Sequence, residues 1–385
     1  MMCAILLSAV LVGDDFPTRL VGSPASSWPL VEAGQKGLLT RSFVFPPDTP
    51  PTPACHASTV CPLADGRVAV AWFGGTSEPD LDTAAWFTTG HRDAAGSWTW
   101  QPPRSLADGT EEDGRDHRIG NPVLLELPGQ RGAAGRLLLF YKVVAPKPWR
   151  ELTWWGMVRE SGDGGQMWSP PRRLGTSERL GSRRDLIGPV KNRPLVLSGG
   201  AVLSPSSSEH DGWRLHLERS DDGGRTWEVI GPLQPGDGTL QAIQPSLLRH
   251  DGGRLQLLAR TRKAGVLAES WSNDEGRTWS PPTATAIPNP NSGTDAVTLA
   301  DGRHLLVFNP TERTRDDSGR GRLALAISDD GRTWRGLLRL EDEPGQEYSY
   351  PAVAQATDGT VHVTYTWRRE AIRHLSFDPD ALVAE

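Results

Sequence analysis

Four segments of this 385-residue chain repeat one short design, and that repetition restricts the fold more than any other feature. Ser161-Gly-Asp163-Gly-Gly165-Gln-Met167-Trp168 is followed by Ser220-Asp-Asp222-Gly-Gly224-Arg-Thr226-Trp227 and by Ser272-Asn-Asp274-Glu-Gly276-Arg-Thr278-Trp279. Ser328-Asp-Asp330-Gly331-Arg-Thr333-Trp334 is one residue shorter, and a degenerate fifth copy runs from Asp93 through Gly96 to Trp98. The residue types suit a tight turn. Aspartate accepts backbone N–H bonds, glycine takes positive φ, and tryptophan packs the turn onto its own sheet. The aspartates stand 59, 52 and 56 positions apart, so one supersecondary unit is used several times over. Each turn has too few carboxylates to cage calcium.

A second repeat counts the units. An apolar strand led by a glycine turn occurs at Asp65–Phe73, Gly135–Tyr141, Gly199–Leu203, Gly253–Ala259, Asp301–Phe308 and Asp358–Tyr365. Each reads as a hairpin feeding a buried inner strand. Six hairpins predict an all-β chain, a six-bladed β-propeller of four-stranded antiparallel blades. Arg41–Phe45 or the C-terminus would complete a shared blade. Residues 41–385 read as this one unit, after an apolar segment and irregular arm over 1–40.

Composition agrees. With 42 Gly and 32 Pro, nearly a fifth of the chain forms turns, which favours many short strands over long helices. The net charge is −6 and no lysine- or arginine-rich block exists, which argues against a nucleic-acid partner. Cys55 and Cys61 are six apart on one expected strand, too far for a disulfide, and Cys3 lies in the first segment. Met1–Gly13 is a short apolar run without a basic start or a clean small-residue cleavage site. It reads either as a weak signal peptide, with a secreted or periplasmic protein, or as a buried first strand; a cytoplasmic location stays open. No other stretch is apolar enough to span a membrane. No cofactor is called for, and no cluster of His, Cys and carboxylates has metal-ligand spacing.

The four turns are similar to the Asp boxes of the sialidase superfamily. From about residue 40 to the end the chain resembles the bacterial BNR-repeat sialidase-like group. The stretches that carry the likeness are Cys55-His-Ala-Ser-Thr59, Gly188-Pro-Val-Lys-Asn192, Pro288-Asn-Pro-Asn-Ser-Gly293 and Glu347-Tyr-Ser-Tyr-Pro351. Members of that superfamily hydrolyse glycosides of a carboxylated sugar. Three arginines hold the carboxylate, a tyrosine assisted by a glutamate attacks, and an aspartate is acid and base. The resemblance implies Tyr348 as nucleophile, Asp80 as acid/base with Asp82 as understudy, and Arg260 as one carboxylate ligand. Another ligand falls at Arg320 or Arg322. A phenol with its ordinary pKa of about 10 needs a base or a cationic field beside it.

Two departures from the family pattern matter. His56 stands where the first arginine belongs, and Gln244 falls where the glutamate would be. Arg118, after His117, is a candidate replacement for that arginine. His56 titrates near neutrality and is a candidate general base. With Arg260, Lys191 or Asn192 neutralising a carboxylate, His56 or Tyr348 would abstract the proton α to it, and β-elimination of a uronate glycoside would follow. Some propellers of this broad group resemble such lyases, acting on rhamnosyl-glucuronate linkages. A non-catalytic glycan-binding propeller is the third reading. Bland roles stand beside each of these. Tyr348 and Tyr350 both flank a strand, so one is packing. Arg260 and Arg262 both lie at the end of one strand, one expected to face the centre and the other to pair with a neighbouring acid. Lys191 and Asn192 follow a Gly-Pro turn, while Asp295, Asn289 and Asn291 lie in a Pro/Asn loop. Trp154 and Trp155 either stack a sugar or pack between blades.

Overall fold

A computed structural model of the chain describes residues 17–110, 117–129, 135–145, 153–180, 184–209, 212–233 and 240–382. Met1–Gly13 and Cys3 lie outside them. Among the described residues the strands form six antiparallel groups of four, here sheets I to VI in chain order. Sheet I holds Ala54–Pro62, Val68–Gly75, Ala84–Arg92 and Trp98–Trp100, with Arg104–Ala107 added beside its third strand. Sheet II holds Arg118–Leu127, Arg136–Ala145, Thr153–Ser161 and Arg172–Arg173. Sheet III holds Leu195–Val196, Val202–Ser208, Arg214–Ser220 and Glu228–Leu233. Sheet IV holds Ala242–Arg249, Leu255–Thr261, Val266–Ser272 and Thr283–Pro288. Sheet V holds Asp295–Thr298, His304–Phe308, Arg322–Ser328 and Thr333–Asp342. Sheet VI takes Tyr348–Gln355, Val361–Trp367 and Ala371–Phe377 from the end of the chain, and Leu38–Phe43 from its beginning as outermost strand.

The core sits between sheets, in six apolar clusters. Each joins consecutive sheets: Phe87 of I meets Leu139 of II, Val123 of II meets Val202 of III, and Leu203 of III meets Leu257 of IV. Leu258 of IV meets Leu306 of V, and Leu325 of V meets Val363 of VI. The sixth returns to the start, with Val70 and Trp72 of I against Ala354 and Ile372 of VI. Cys55 and Cys61 are buried and free. Among the described residues no helix is long and apolar enough to cross a membrane.

Two expectations need correction. The glycine-led hairpins feed the second strand of each sheet, not the innermost one, which is the strand before the turn. Residues 19–21, expected to be irregular, form a short strand parallel to the outer strands of both IV and V, and tie those sheets together.

The Ser-x-Asp turns close the third strand onto the fourth. In each full-length copy the serine hydroxyl accepts the N–H of the glycine four residues on, at 2.8 Å from Gly165 and Gly224 and 2.9 Å from Gly276. The aspartate accepts the next two N–H groups, as Asp222 does from Arg225 and Thr226, both at 2.9 Å. Their tryptophans pack against the preceding sheet as well as their own. The positive-φ glycine brings the turn against the sheet before it, where Trp168 meets Phe87 of sheet I at 5.3 Å and Trp227 meets Phe140 of sheet II at 5.9 Å. Gln256 of sheet IV likewise donates to Gly331 O at 2.9 Å. The degenerate copy follows suit. Trp98 lies edge-on to His362 and His374 of sheet VI, at 5.3 and 5.0 Å.

That last contact has a pH consequence. His362 and His374 are buried, stacked, and joined Nδ1 to Nε2 at 3.1 Å. Burial pulls His362 from 6.5 to about 4 and holds His374 well below 6.5. The fold therefore favours the neutral rings. Their contribution is full above pH 6.5 and is lost as pH falls from there toward about 4, because the unfolded chain binds the protons first. The thermal midpoint should drop by several degrees from about pH 7 to about pH 5, and a flat profile would count against this account.

Candidate active site

The site forms where first strands begin and second strands end. Four first strands slip register at the same level: between His56 and Thr59 in I, Gly120 and Val123 in II, Ile243 and Ser246 in IV, and Ser349 and Ala352 in VI. Within these bulges Ala57, Asn121, Gln244 and Tyr350 have φ of 53°, 34°, 56° and 51°. Lys191, leading into sheet III, has φ of 83°. Such angles cost a non-glycine residue on the order of 1 kcal/mol, and bulges re-aim side chains. Neighbours hold them in place: Ala57 N donates to Thr366 Oγ1 and Gln244 N to Ser207 Oγ, both at 3.1 Å, each a second-strand hydroxyl of the preceding sheet.

Tyr350 is the residue around which the side chains of the site meet. Its phenol oxygen accepts Arg260 Nη1 at 2.7 Å, and Arg320 lies 5.6 Å from its ring centre. The His56 ring packs on it at 4.2 Å, with Phe73 and Ala57 completing a small apolar floor. Burial, then the charge of Arg369, keeps His56 well below 6.5, so the imidazole is neutral and its buried Nδ1 has no partner. Arg320 donates to Glu347 at 2.9 Å and to Asn291 O at 3.2 Å. Arg369 bridges Glu347 at 2.8 Å and Glu78 at 2.6 Å. Burial works to raise the Glu347 carboxyl, but the bond and charge of Arg369, with His56 and Ser349, outweigh it and hold it at about 2. Glu347 is thus a fixed anion between two arginines.

The expected residues divide into three sets. His56, Arg260 and Arg320 meet around Tyr350. Arg322 is excluded because it turns outward to Asp342 at 3.0 Å, and Arg262 points to Gln241 at 3.0 Å while Arg260 and Arg262 both flank Trp213. Tyr348, expected in this place, is directed elsewhere. Its hydroxyl donates to Glu343 at 2.7 Å, and its ring joins the core between sheets V and VI. Two residues apart on a regular strand would share a face, but the bulge between them turns Tyr350 alone to this site.

Asp80 lies in the turn over His56, its carboxylate accepting Ser77 Oγ at 2.6 Å. Ser77 and Glu78 of that turn line a small cleft with His56, Phe73 and Arg369. Asp82 instead fastens the turn by accepting both Thr76 N and Oγ1, bonds that hold its carboxyl below the usual range. Gln244 keeps a buried amide oxygen without a partner. Arg118 is half-buried on sheet II opposite Val144.

Lys191, Asn192 and Asp295 form a buried network instead. Lys191 Nζ donates to Asn192 Oδ1 at 2.7 Å, to Thr294 O at 2.9 Å and to Pro351 O. Asn192 Nδ2 donates to Ser246 Oγ at 2.9 Å, Ser246 Oγ to Asp295 at 3.0 Å, and Val353 N to Asp295 at 2.9 Å. Their polar atoms join the first strands of IV, V and VI.

Tyr350, Glu347 and Arg369 were the residues not singled out for the site. The readable signal was a residue before proline at matching points of three strands: Asn121-Pro122, Gln244-Pro245 and Tyr350-Pro351.

The BNR repeat-like domain family matches residues 66–363. The chain belongs to that family. This BNR repeat-like chain is 24% identical over 233 residues to a sialidase of Bacteroides fragilis (strain YCH46), a match taking in 57% of the chain and 40% of the relative. It therefore spans less than half of that curated protein. Among solved structures, the Hadza microbial sialidase Hz136 superposes with a TM-score of 0.71 at 18% identity, covering 89% of this chain and 69% of the other. The intramolecular trans-sialidase of Ruminococcus gnavus superposes at 0.65 and 16%, covering 86% and 96%. A protein of unknown function from Dyadobacter fermentans DSM 18053 gives 0.65 and 17%, covering 89% and 97%. The BNR repeat-like chain shares the fold of these sialidases.

Proposed function

We propose that this chain is a six-bladed propeller and an exo-acting glycosidase that releases a terminal carboxylated sugar from a glycan. The observation that carries the reading is the 2.7 Å bond from Arg260 to the Tyr350 hydroxyl, with His56 packed on the same ring. Tyr350 attacks the anomeric carbon, and Arg260 stabilises negative charge developing on the phenol oxygen. His56, neutral and beside the phenol, takes its proton. Asp80, in the turn above, protonates the departing glycosidic oxygen and then activates water. Glu347 holds Arg320 and Arg369 in position.

A second reading is favoured by the neutral His56 and by Gln244 standing where a glutamate would serve the tyrosine. In it the substrate is a uronate glycoside. His56 or Tyr350 removes the proton α to the carboxylate, the C–O bond at the β carbon breaks, a C=C bond forms, and the leaving oxygen takes a proton. Incubation with sialosides and uronate glycosides distinguishes the two. Free acidic sugar of hydrolysed mass supports the glycosidase. An ultraviolet-absorbing product lighter by one water supports the lyase. Binding without product after long incubation defeats both and leaves a glycan-binding module.

A further inference from the structure

Register assigns a second cation to the place Arg260 occupies. Arg260 stands opposite Ile243, the last pair before the bulge of sheet IV. The residues in the same place are Phe73 opposite His56 in I, Thr366 opposite Ser349 in VI, and Lys142 opposite Gly120 in II. Three of these four touch the site: Phe73 and Arg260 reach Tyr350, and Thr366 holds Ala57 N. Lys142 is at their level, with the Trp154 ring beside it and no ion pair among the described residues. It is 2% exposed, and its ammonium lies 5.6 Å from the centre of that ring. Gly120 opposite has no side chain, and a Cβ there would meet Trp154 alone, at 3.7 Å.

The charge balance points the same way. Glu347 and Glu78 are engaged by Arg320 and Arg369. Arg260 and Lys142 make no ion pair among the described residues, and Arg260 Nε is buried without a partner. Two uncompensated buried cations are costly unless an anion joins them. We propose that Lys142 and Arg260 together hold the carboxylate of the sugar, so that Lys142 is a substrate-binding residue. This rests on the reading that the ligand is a carboxylated sugar. Among the described residues the charged groups acting on Lys142 are Glu209, exposed in the turn after the second strand of III, and Arg260. Burial, opposed by Glu209 and reinforced by Arg260, lowers the lysine to about 7, and a bound anion would restore its proton.

The test is binding of N-acetylneuraminate and D-glucuronate, each against its methyl ester, to the full chain, followed by calorimetry in two buffers of different ionisation enthalpy. Wild type should bind one acid, reject its ester, and take up protons above the lysine's pKa. Lys142→Met should bind at least about tenfold more weakly, without proton uptake and with an unchanged or higher thermal midpoint, and Lys142→Arg should recover most of the affinity. Equal affinity in Lys142→Met and wild type would overturn the assignment. Were Lys142→Met to unfold, absence of proton uptake by wild type would overturn it instead. Failure of wild type to bind either acid would overturn the carboxylated-sugar reading, and this assignment with it.

Discussion

Tyr350→Phe is expected to lower turnover of a cleaved glycoside by at least about a thousandfold, with little change in thermal midpoint. The ring, its contact with His56 and the apolar floor all survive that change; only the oxygen that meets Arg260 is lost. Tyr348→Phe should do the reverse. It removes the bond to Glu343 and its contact with Arg368, costing about 1 kcal/mol of stability, and leaves turnover within a few-fold. Because the two tyrosines differ by two positions, the pair controls for backbone disturbance. If Tyr348→Phe were the inactive variant, the bulge would have been given the wrong role.

Lys191→Met should destabilise the chain by about 3 kcal/mol or more, read as a lowered midpoint in urea with an unchanged slope. Lys191 is surrounded by acceptors, and burial, opposed by the charge of Asp295, draws its pKa to about 8. Removing it leaves two buried carbonyls unmet and takes away the cation beside Asp295. Burial already raises the Asp295 carboxyl, with Lys191 working against that rise. The contrast with Lys142 is instructive. Both lysines are buried, but one is saturated by its own chain and the other is not. Substitution should therefore cost stability at Lys191 and affinity at Lys142.

The turns were legible in the sequence because their chemistry is local: serine, aspartate and two glycines close on themselves within a few residues. The reach of their tryptophans to the preceding sheet was not, because those partners lie far away in sequence. The second strands were legible as apolar runs after glycine. The first strands carry bulges, proline and polar residues, and Leu195–Val196 or Asp295–Thr298 are too short to stand out from loop. At the site, the family resemblance pointed to His56, to Arg260 and to Arg320 or Arg322, and only the contacts with Glu347 and Asp342 separate the last two. Choosing Tyr350 over Tyr348 needed the bulge. Glu347 with Arg369 needed a hairpin that brings residues 22 positions apart into contact.

Sheet VI draws its strands from both ends of the chain, and this sets an order of assembly. Leu38–Phe43 is synthesised long before its partner Ala371–Phe377. At roughly 5–20 residues per second of translation, the early strand waits on the order of 15–65 s for it. During that wait its hydrogen-bonding edge is open, and so is the flank of sheet I that sheet VI will cover. A polypeptide stopped short of residue 371 can never close either gap. Pairing of Leu38–Phe43 with Ala371–Phe377 is therefore the step on which completion of sheet VI waits.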